Sequence, residues 1–180
     1  MDINKSFKSK FFFSNNISPQ LIQKLVKLKN ITFVYTPDKN LKNVYQIKNL
    51  CRKNKINFYI SNNISLYYKI KADGFHLTSN NRNQIIKYTK PKIIIGTCHN
   101  QQEYFQKIKQ GCKCVFLSPL FYNPKFSINR ILGMTKFNLL KLNWRIKIFP
   151  LGGIFKNNIY KLNILKVSGF GFSRLIKKPF

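Results

Sequence analysis

Short runs of bulky apolar residues recur at a steady interval along this chain, and their spacing limits the folds open to it more than any other feature. Each run is four to seven residues long and lacks apolar–polar alternation. The eight runs are residues 10–14, 31–35, 56–60, 74–77, 92–96, 114–118, 147–153 and 169–173. Continuous apolar runs of this length are typical of strands buried on both faces of a sheet. The sequence therefore predicts eight buried strands.

The segments between these runs carry apolar residues at helical spacing. The clearest follows the first run, where Ser18 supplies an N-cap and Pro19 occupies the first helical position. Residues 41–54 and 157–169 have similar spacing, and residues 100–111 begin with an asparagine cap followed three positions later by a glutamate. Strand and helix signals therefore alternate along the chain.

This alternation favours an α/β fold with a parallel sheet, and eight such units favour a compact (β/α)8 TIM barrel. The chain has 180 residues, whereas about 200 is the usual lower end for this fold. We therefore expect shortened helices, one of them near residues 81–89, and a truncated last helix after Ser173. An open doubly wound sheet remains the alternative. We assign residues 1–9 to an N-terminal tail and residues 10–180 to the barrel domain.

Polar residues gather where the predicted strands end, at the edge where parallel barrels carry their chemistry. The set contains hydroxyls, amides, one imidazole and a glycine pair but no carboxylate: Ser61, Asn62, Asn63, Thr78, Ser79, Asn80, Asn81, Thr97, Cys98, His99, Ser118, Gly152, Gly153, Ser173 and Arg174. Such a set suits a phosphorylated ligand, because glycines let backbone N–H groups approach an anion. It does not suit hydrolysis by paired carboxylates, since the whole chain has only four acidic residues.

Three of these residues are candidates for specific roles. The pair Gly152 and Gly153 predicts a phosphate-binding loop, with a plain turn as the alternative. His99 is the strand-end group that titrates near neutral pH, so it is the candidate general acid or base. A structural histidine bonded to the backbone is the alternative at that position. His76 lies inside the fourth run and is interpreted as structural, and Asp73 is interpreted as a turn or capping residue.

The charge of the chain is extreme, with 33 Lys and Arg against 4 Asp and Glu, a net charge of +29. A phosphate-rich partner is the first class to consider for such a chain. The basic residues are spread evenly from Lys5 to Lys178, however, which favours compositional drift over a nucleic-acid footprint. We therefore expect only nonspecific nucleic-acid binding at low salt.

Cysteine usage and hydropathy bear on the compartment. The four cysteines have no C-x-x-C spacing and are interpreted as buried thiols in a reducing environment. No apolar stretch approaches the roughly 20 residues of a membrane span, and the N-terminal Phe run is too short for a signal peptide. We expect a cytoplasmic protein without a membrane partner. The sequence leaves a homo-oligomer open.

Four motifs follow one another along the chain: KADGFHL at residues 71–77, TCHNQQE at 97–103, GCKCVFLSPLF at 111–121, and IFPLGGI at 148–154 followed by an asparagine at 157 or 158. In this order they resemble the motifs of the thiamine-phosphate synthase/TenI family. Leu132 and Gly133 fall where the family has a Leu-Gly pair after the sixth strand. The resemblance runs from about Phe11 to Ile176 and implies a TIM barrel.

The resemblance also implies an enzyme of thiamine biosynthesis. A thiamine-phosphate synthase is a transferase that joins hydroxymethylpyrimidine diphosphate to thiazole phosphate and releases pyrophosphate, with magnesium. The implied partners are therefore phosphorylated pyrimidine and thiazole substrates. TenI-type relatives are isomerases that aromatise the thiazole phosphate through a histidine, whose position matches His99. A non-catalytic basic barrel that binds phosphorylated ligands or nucleic acid is the third hypothesis.

The part of the site that holds thiazole phosphate in the family is retained in this sequence. By the resemblance, Gly152, Gly153 and Ser173 would hold that phosphate. Thr97, which follows the fifth run, and Ser118, which ends the sixth, are the further expected substrate contacts.

The part that holds the diphosphate and the metal is altered. The family's two magnesium-binding aspartates fall at Asn62 and Asn81, where an amide oxygen replaces a charged one and weakens a Mg²⁺ site. The basic clamp after the second strand is reduced to Lys39. The loop after the sixth strand retains only Asn123 and Lys125 as candidate contacts.

Overall fold

The structure, a computed structural model, describes residues 3–37, 43–84, 91–124 and 127–175. Its strands are β1 (Ser9–Ser14), β2 (Ile31–Tyr35), β3 (Asn57–Ser61), β4 (Gly74–Leu77), β5 (Ile94–Cys98), β6 (Cys114–Leu117), β7 (Lys147–Pro150) and β8 (Gly169–Phe172). Its α-helices are α1 (Ile3–Ser6), α2 (Pro19–Val26), α3 (Val44–Lys53), α4 (Ile64–Lys69), α5 (Gln101–Lys109) and α6 (Gly133–Asn143). Two 3-10 segments cover Ile128–Arg130 and Ile159–Leu165.

All paired strands are parallel, and strands that are neighbours in sequence are neighbours in the sheet. The order is β7-β6-β5-β4-β3-β2-β1-β8, with β8 paired to β1. The remaining edges, β7 and β8, contact each other across the seam. A doubly wound sheet would reverse its strand order at a switch point, which this circular order does not do. The predicted (β/α)8 barrel is therefore confirmed.

Each of the eight predicted strands is present, although the bounds of some differ. The fifth begins at Ile94, two residues later than predicted, and continues to Cys98. These bounds follow from its pairing with the neighbouring strands. Ile94 pairs with Phe75 of β4, and Cys98 pairs with Leu117 of β6. Thr97 is consequently the penultimate residue of β5, and its side chain lies at the strand end.

The core has two layers, which explains why the strands are apolar on both faces. The barrel interior is filled by Phe11, Val34, Tyr59, Ile95, Cys114, Phe116 and Phe149. The layer between the sheet and the helices includes Phe12, Phe33, Phe58, Phe75, Val115 and Phe170. Apolar side chains that alternate inward and outward are thus buried in either direction.

The helix signals were confirmed in three segments, which form α2, α3 and α5, and modified in a fourth. Ser18 Oγ caps α2 by accepting from the Leu21 N–H, and Asn100 Oδ1 caps α5 by accepting from the Glu103 N–H at 2.9 Å. The segment predicted as helical over 157–169 forms the 3-10 helix. The short helix predicted near 81–89 and the last helix after Ser173 fall largely outside the described residues.

The segment before β1 packs onto the barrel. It contains α1, and Phe7 is buried with its ring 5.0 Å from that of Phe170. None of the helices described in the structure has both the length and the apolar character needed to cross a bilayer.

The four cysteines are free and buried. Burial raises the pKa of each thiol, that of Cys51, Cys98, Cys112 and Cys114, to about 12. These thiols therefore stay protonated at neutral pH, which makes them poor nucleophiles and poor metal ligands.

Candidate active site

The glycine pair forms the loop that follows β7. Gly152 and Gly153 both have left-handed φ values, +87° and +70°. Their carbonyl groups face the protein, since the Gly152 oxygen accepts from the Phe121 N–H and the Gly153 oxygen accepts from Asn158 Nδ2 at 2.7 Å. Among the described residues, no hydrogen bond uses the N–H groups of Gly152, Gly153 and Ile154. These three donors are therefore available to an anion.

A small cleft connects this loop to the end of β8. Its lining consists of Asn123, Gly152, Gly153, Ile154, Phe155, Phe172, Ser173 and Arg174. Four of the predicted phosphate contacts thus lie together. Arg174 adds a permanently charged guanidinium suited to a phosphate. The sequence analysis placed Arg174 at a strand end but gave it no role, although a cation next to a predicted phosphate contact was a usable signal.

A buried histidine links hydroxyl groups from several strand ends. His76 Nδ1 lies 2.8 Å from Ser61 Oγ, and His76 Nε2 lies 2.8 Å from Thr97 Oγ1. Ser61 Oγ lies 3.3 Å from Thr36 Oγ1, which extends the chain to β2. Burial, with a smaller contribution from the Lys107 charge, lowers the pKa of His76 to about 3. The ring is therefore neutral, with one donor and one acceptor nitrogen, and it fixes Thr97 at the mouth of the barrel.

Asn62 and Asn81, which the sequence resemblance predicts at the family's metal positions, lie together at the ends of β3 and β4. Asn62 Oδ1 accepts from Asn81 Nδ2 and from the Thr78 N–H, both at 3.1 Å, and Asn62 Nδ2 donates to Thr78 Oγ1 at 2.7 Å. Asn81 Oδ1 accepts from Gln110 Nε2 at 3.1 Å and from the Asn83 N–H at 3.0 Å. The two amides therefore belong to one hydrogen-bonded cluster. In the described part of the chain, no group of three or more His, Cys, Asp or Glu side chains is arranged to hold a metal ion.

His99 follows β5 and is held from two sides. Its Nδ1 donates to the Ser118 carbonyl oxygen at 2.6 Å, and its backbone N–H donates to Glu103 Oε2 at 2.7 Å. Because a carbonyl oxygen only accepts, the neutral ring is the tautomer in which Nε2 is an acceptor. This geometry suits a base and equally suits a structural histidine.

A cavity of about 550 Å³ opens beside His99, between the loops that follow β4, β5 and β6. Its lining consists of Ser79, Asn80, His99, Asn100, Glu103, Pro119, Asn129, Arg130, Leu132 and Lys136. Arg130 and Lys136 give it two cations against the single carboxylate of Glu103. Neither cation was predicted from the sequence, because both follow an irregular loop rather than a strand end.

A further cavity, about 630 Å³, opens at the opposite end of the barrel between α3 and α4. Five basic residues line it, Lys48, Arg52, Lys55, Lys69 and Lys71, but none of the predicted site residues does. Asp73 also lies there, where its Oδ2 accepts from the Phe58 N–H at 2.8 Å and from Lys48 Nζ at 3.0 Å. Since barrel enzymes carry their chemistry at the other face, we place the candidate site at the strand ends despite the smaller volume there. Two predicted contacts, Lys39 and Lys125, lie outside the described residues.

Comparison with known proteins gives a consistent result. A family model described as thiamine monophosphate synthase matches residues 14–176. The thiamine-phosphate synthase of Flavobacterium psychrophilum is 31% identical over 147 residues, which cover 74% of this chain and 71% of that protein. The thiamine-phosphate synthase of Pelagibacter ubique is 30% identical over 142 residues, which cover 74% of this chain and 69% of that protein.

Among solved structures, the thiamine phosphate pyrophosphorylase from Pyrococcus furiosus superimposes with a TM-score of 0.74 at 15% identity. The match covers 96% of this chain and 88% of the other. At that identity the likeness shows the fold alone. The family model, however, spans nearly the whole chain and includes the glycine loop, the His99 segment and the two amide positions. This chain therefore belongs to the thiamine monophosphate synthase family.

Proposed function

We propose that this protein is a thiamine-phosphate synthase, which condenses hydroxymethylpyrimidine diphosphate with thiazole phosphate to give thiamine phosphate and pyrophosphate. The observation that carries the proposal is the loop after β7, where three backbone N–H groups are available to an anion. The names of the relatives supply the reaction.

The thiazole phosphate is proposed to bind in the cleft between the loops after β7 and β8. The N–H groups of Gly152, Gly153 and Ile154 would donate to its oxygens, and the Ser173 hydroxyl would donate a further hydrogen bond. The Arg174 guanidinium would offset the charge. Asn158 donates to the Gly153 carbonyl oxygen and would be a positioning residue, because this hydrogen bond fixes the conformation of the loop.

The pyrimidine diphosphate is proposed to bind across the barrel mouth, with its charged end toward the 550 Å³ cavity. Arg130 and Lys136 line that cavity and would stabilise the leaving pyrophosphate.

The bond between the methylene carbon and the diphosphate oxygen breaks, and its electron pair leaves with pyrophosphate. The thiazole nitrogen then forms the new carbon–nitrogen bond. Thr97, fixed by His76, would contact the pyrimidine near the reacting carbon.

No step is assigned to a metal held by the protein, because the Asn62 and Asn81 amides are bonded to each other. The substrate diphosphate is taken as its magnesium complex, so magnesium is proposed to arrive with the substrate.

The first test is formation of thiamine phosphate from both substrates in the presence of magnesium. We expect one pyrophosphate to be released for each thiamine phosphate formed, and no product when either substrate is omitted. A protein that binds thiazole phosphate yet forms no thiamine phosphate would contradict the synthase proposal.

Thiazole tautomerisation is the second candidate, favoured by the fixed tautomer of His99 beside a cavity. Replacing His99 by Asn separates the two activities, because only the tautomerase needs proton transfer at this position. We expect thiamine-phosphate formation to fall by no more than about tenfold in His99→Asn. General acid–base catalysis contributes about 10²- to 10⁴-fold. The tautomerase function would be established instead if the wild type isomerises thiazole phosphate and His99→Asn does so about 10²- to 10⁴-fold more slowly.

A further inference from the structure

We propose that an internal hydrogen-bonded cluster takes the place of the family's magnesium site in this chain, so that the protein alone does not hold a divalent cation at the ends of β3 and β4. The cluster consists of Asn62, Asn81, Lys107 and Gln110. The inference rests on the proposed function for the location of the site, but its test does not depend on catalysis.

The oxygen atoms that would bind a cation are already saturated. An amide oxygen has two lone pairs. Those of Asn62 Oδ1 accept from the Thr78 N–H and from Asn81 Nδ2. Those of Asn81 Oδ1 accept from the Asn83 N–H and from Gln110 Nε2. Because one donor to each oxygen is a backbone N–H, neither amide can be turned over without losing that bond. Both amide oxygens therefore point at N–H groups. An oxygen that binds a metal would have to point at the cation instead.

A buried ammonium lies behind this pair. Lys107 is fully buried, and its Nζ donates to the Asn81 carbonyl oxygen at 2.8 Å and to Gln110 Oε1 at 3.1 Å. The Ser79 carbonyl oxygen completes the set at 3.5 Å. Among the described residues, no carboxylate lies within ion-pair distance of Lys107, so these neutral oxygens are its direct partners. Burial lowers the pKa of Lys107, and the more distant Glu103 carboxylate favours its charged form. A fixed positive charge next to Asn81 disfavours a second cation there.

Gln110 completes the cluster from the same helix end. It is also fully buried, and its Nε2 lies 3.1 and 3.0 Å from the Asn81 and Asn83 carbonyl oxygens as well as 3.1 Å from Asn81 Oδ1, so its two hydrogens are shared among three acceptors. Together Lys107 and Gln110 fix the backbone of the loop after β4 as well as the Asn81 side chain. They are positioning residues, and they give this loop the order that a bound metal would otherwise supply.

The consequence concerns how the diphosphate charge is neutralised. Mg²⁺ is held in proteins by carboxylates together with substrate phosphates, and the cluster of Asn62, Asn81, Lys107 and Gln110 contains no carboxylate. The basic residues of the 550 Å³ cavity, Arg130 and Lys136, are then the groups that face the diphosphate from the protein side.

The test is a titration of the full-length protein with Mn²⁺ alone, followed by the paramagnetic resonance of the free ion. We expect the wild type to leave Mn²⁺ free up to about millimolar concentrations, and the double variant Asn62→Asp, Asn81→Asp to bind one Mn²⁺ at least about tenfold more tightly. The matched control is Asn30→Asp with Asn163→Asp. It makes the same change of charge at two exposed positions that line neither large cavity, and we expect it to resemble the wild type.

Two outcomes would overturn the proposal. One is a wild type that binds one Mn²⁺ with a micromolar Kd that is lost in Asn62→Leu. The other is a double aspartate variant that binds Mn²⁺ no better than the control pair. Failure of the synthase proposal looks different, since it would appear as absent thiamine phosphate with the Mn²⁺ titration unchanged.

Discussion

Replacing Gly153 by alanine is expected to lower the affinity for thiazole phosphate by more than about 100-fold. A Cβ atom at this position would lie 2.4 Å from the Phe121 carbonyl oxygen and 2.5 Å from that of Tyr122. Both neighbours are backbone atoms, so the loop after β7 has to move and its N–H groups move with it. Misplacing binding groups by about 1 Å can cost a factor of 10². Calorimetric titration with thiazole phosphate measures the loss directly.

Gly133 provides a matched control for this substitution. Its φ of +66° is close to the +70° of Gly153, yet a Cβ atom there would have no neighbour within 4 Å. Gly133→Ala therefore carries the conformational cost of a left-handed residue, about 1 to 2 kcal/mol, without the clash. We expect it to lower the unfolding temperature but to retain thiazole-phosphate binding.

A second variant keeps the phosphate-loop assignment testable if Gly153→Ala fails to fold. Ser173→Ala removes one hydroxyl from the same cleft, and we expect about a tenfold loss of affinity. Wild-type affinity in a folded Gly153→Ala protein would contradict the assignment. If Gly153→Ala does not fold, wild-type affinity in Ser173→Ala would contradict the assignment instead.

The strands were predictable because each is buried on both faces and therefore consists of a continuous apolar run. A run of about four to seven such residues is typical of a buried strand. The 3-10 helix was harder to predict, although its signal was present. Ile159, Leu162 and Leu165 are its buried residues, and their spacing of three matches the three residues per turn of a 3-10 helix. A period of 3.6 was assumed in the sequence analysis, so the segment was predicted as helical without its type.

The candidate site was predictable where it depends on backbone and strand ends, and not where it depends on long-range side-chain contacts. The glycine loop and the amide positions follow from motifs. The contacts of Lys107 and Gln110 with Asn81 cross 26 and 29 residues, and no local pattern indicates them. The bond from His76 to Thr97 crosses 21 residues in the same way. The motif also left asparagines 157 and 158 open, and the structure shows that Asn158 is the one that donates to the Gly153 carbonyl oxygen.

His76 is expected to make folding stability fall in acid. Its pKa is about 3 in the folded protein and near 6.5 in the unfolded chain. Above pH 6.5 both states hold neutral imidazole, and the histidine causes no pH dependence. As the pH falls from 6.5 toward 3, the unfolded state takes up a proton that the folded state excludes. The free energy of unfolding should therefore fall by about 1.4 kcal/mol per pH unit in that window.

Replacing His76 by Gln isolates this contribution, because glutamine offers a donor and an acceptor to Ser61 and Thr97 but does not titrate. We expect the variant to be less stable at pH 7.5 and to lose stability less steeply between pH 6 and pH 4. The chain has only four acidic residues, so protonation of carboxylates adds little acid sensitivity that would obscure the difference. Urea unfolding of both proteins at several pH values measures the two slopes. Parallel slopes would show that His76 is protonated in the folded barrel, and the neutral Ser61–His76–Thr97 chain would then be wrong.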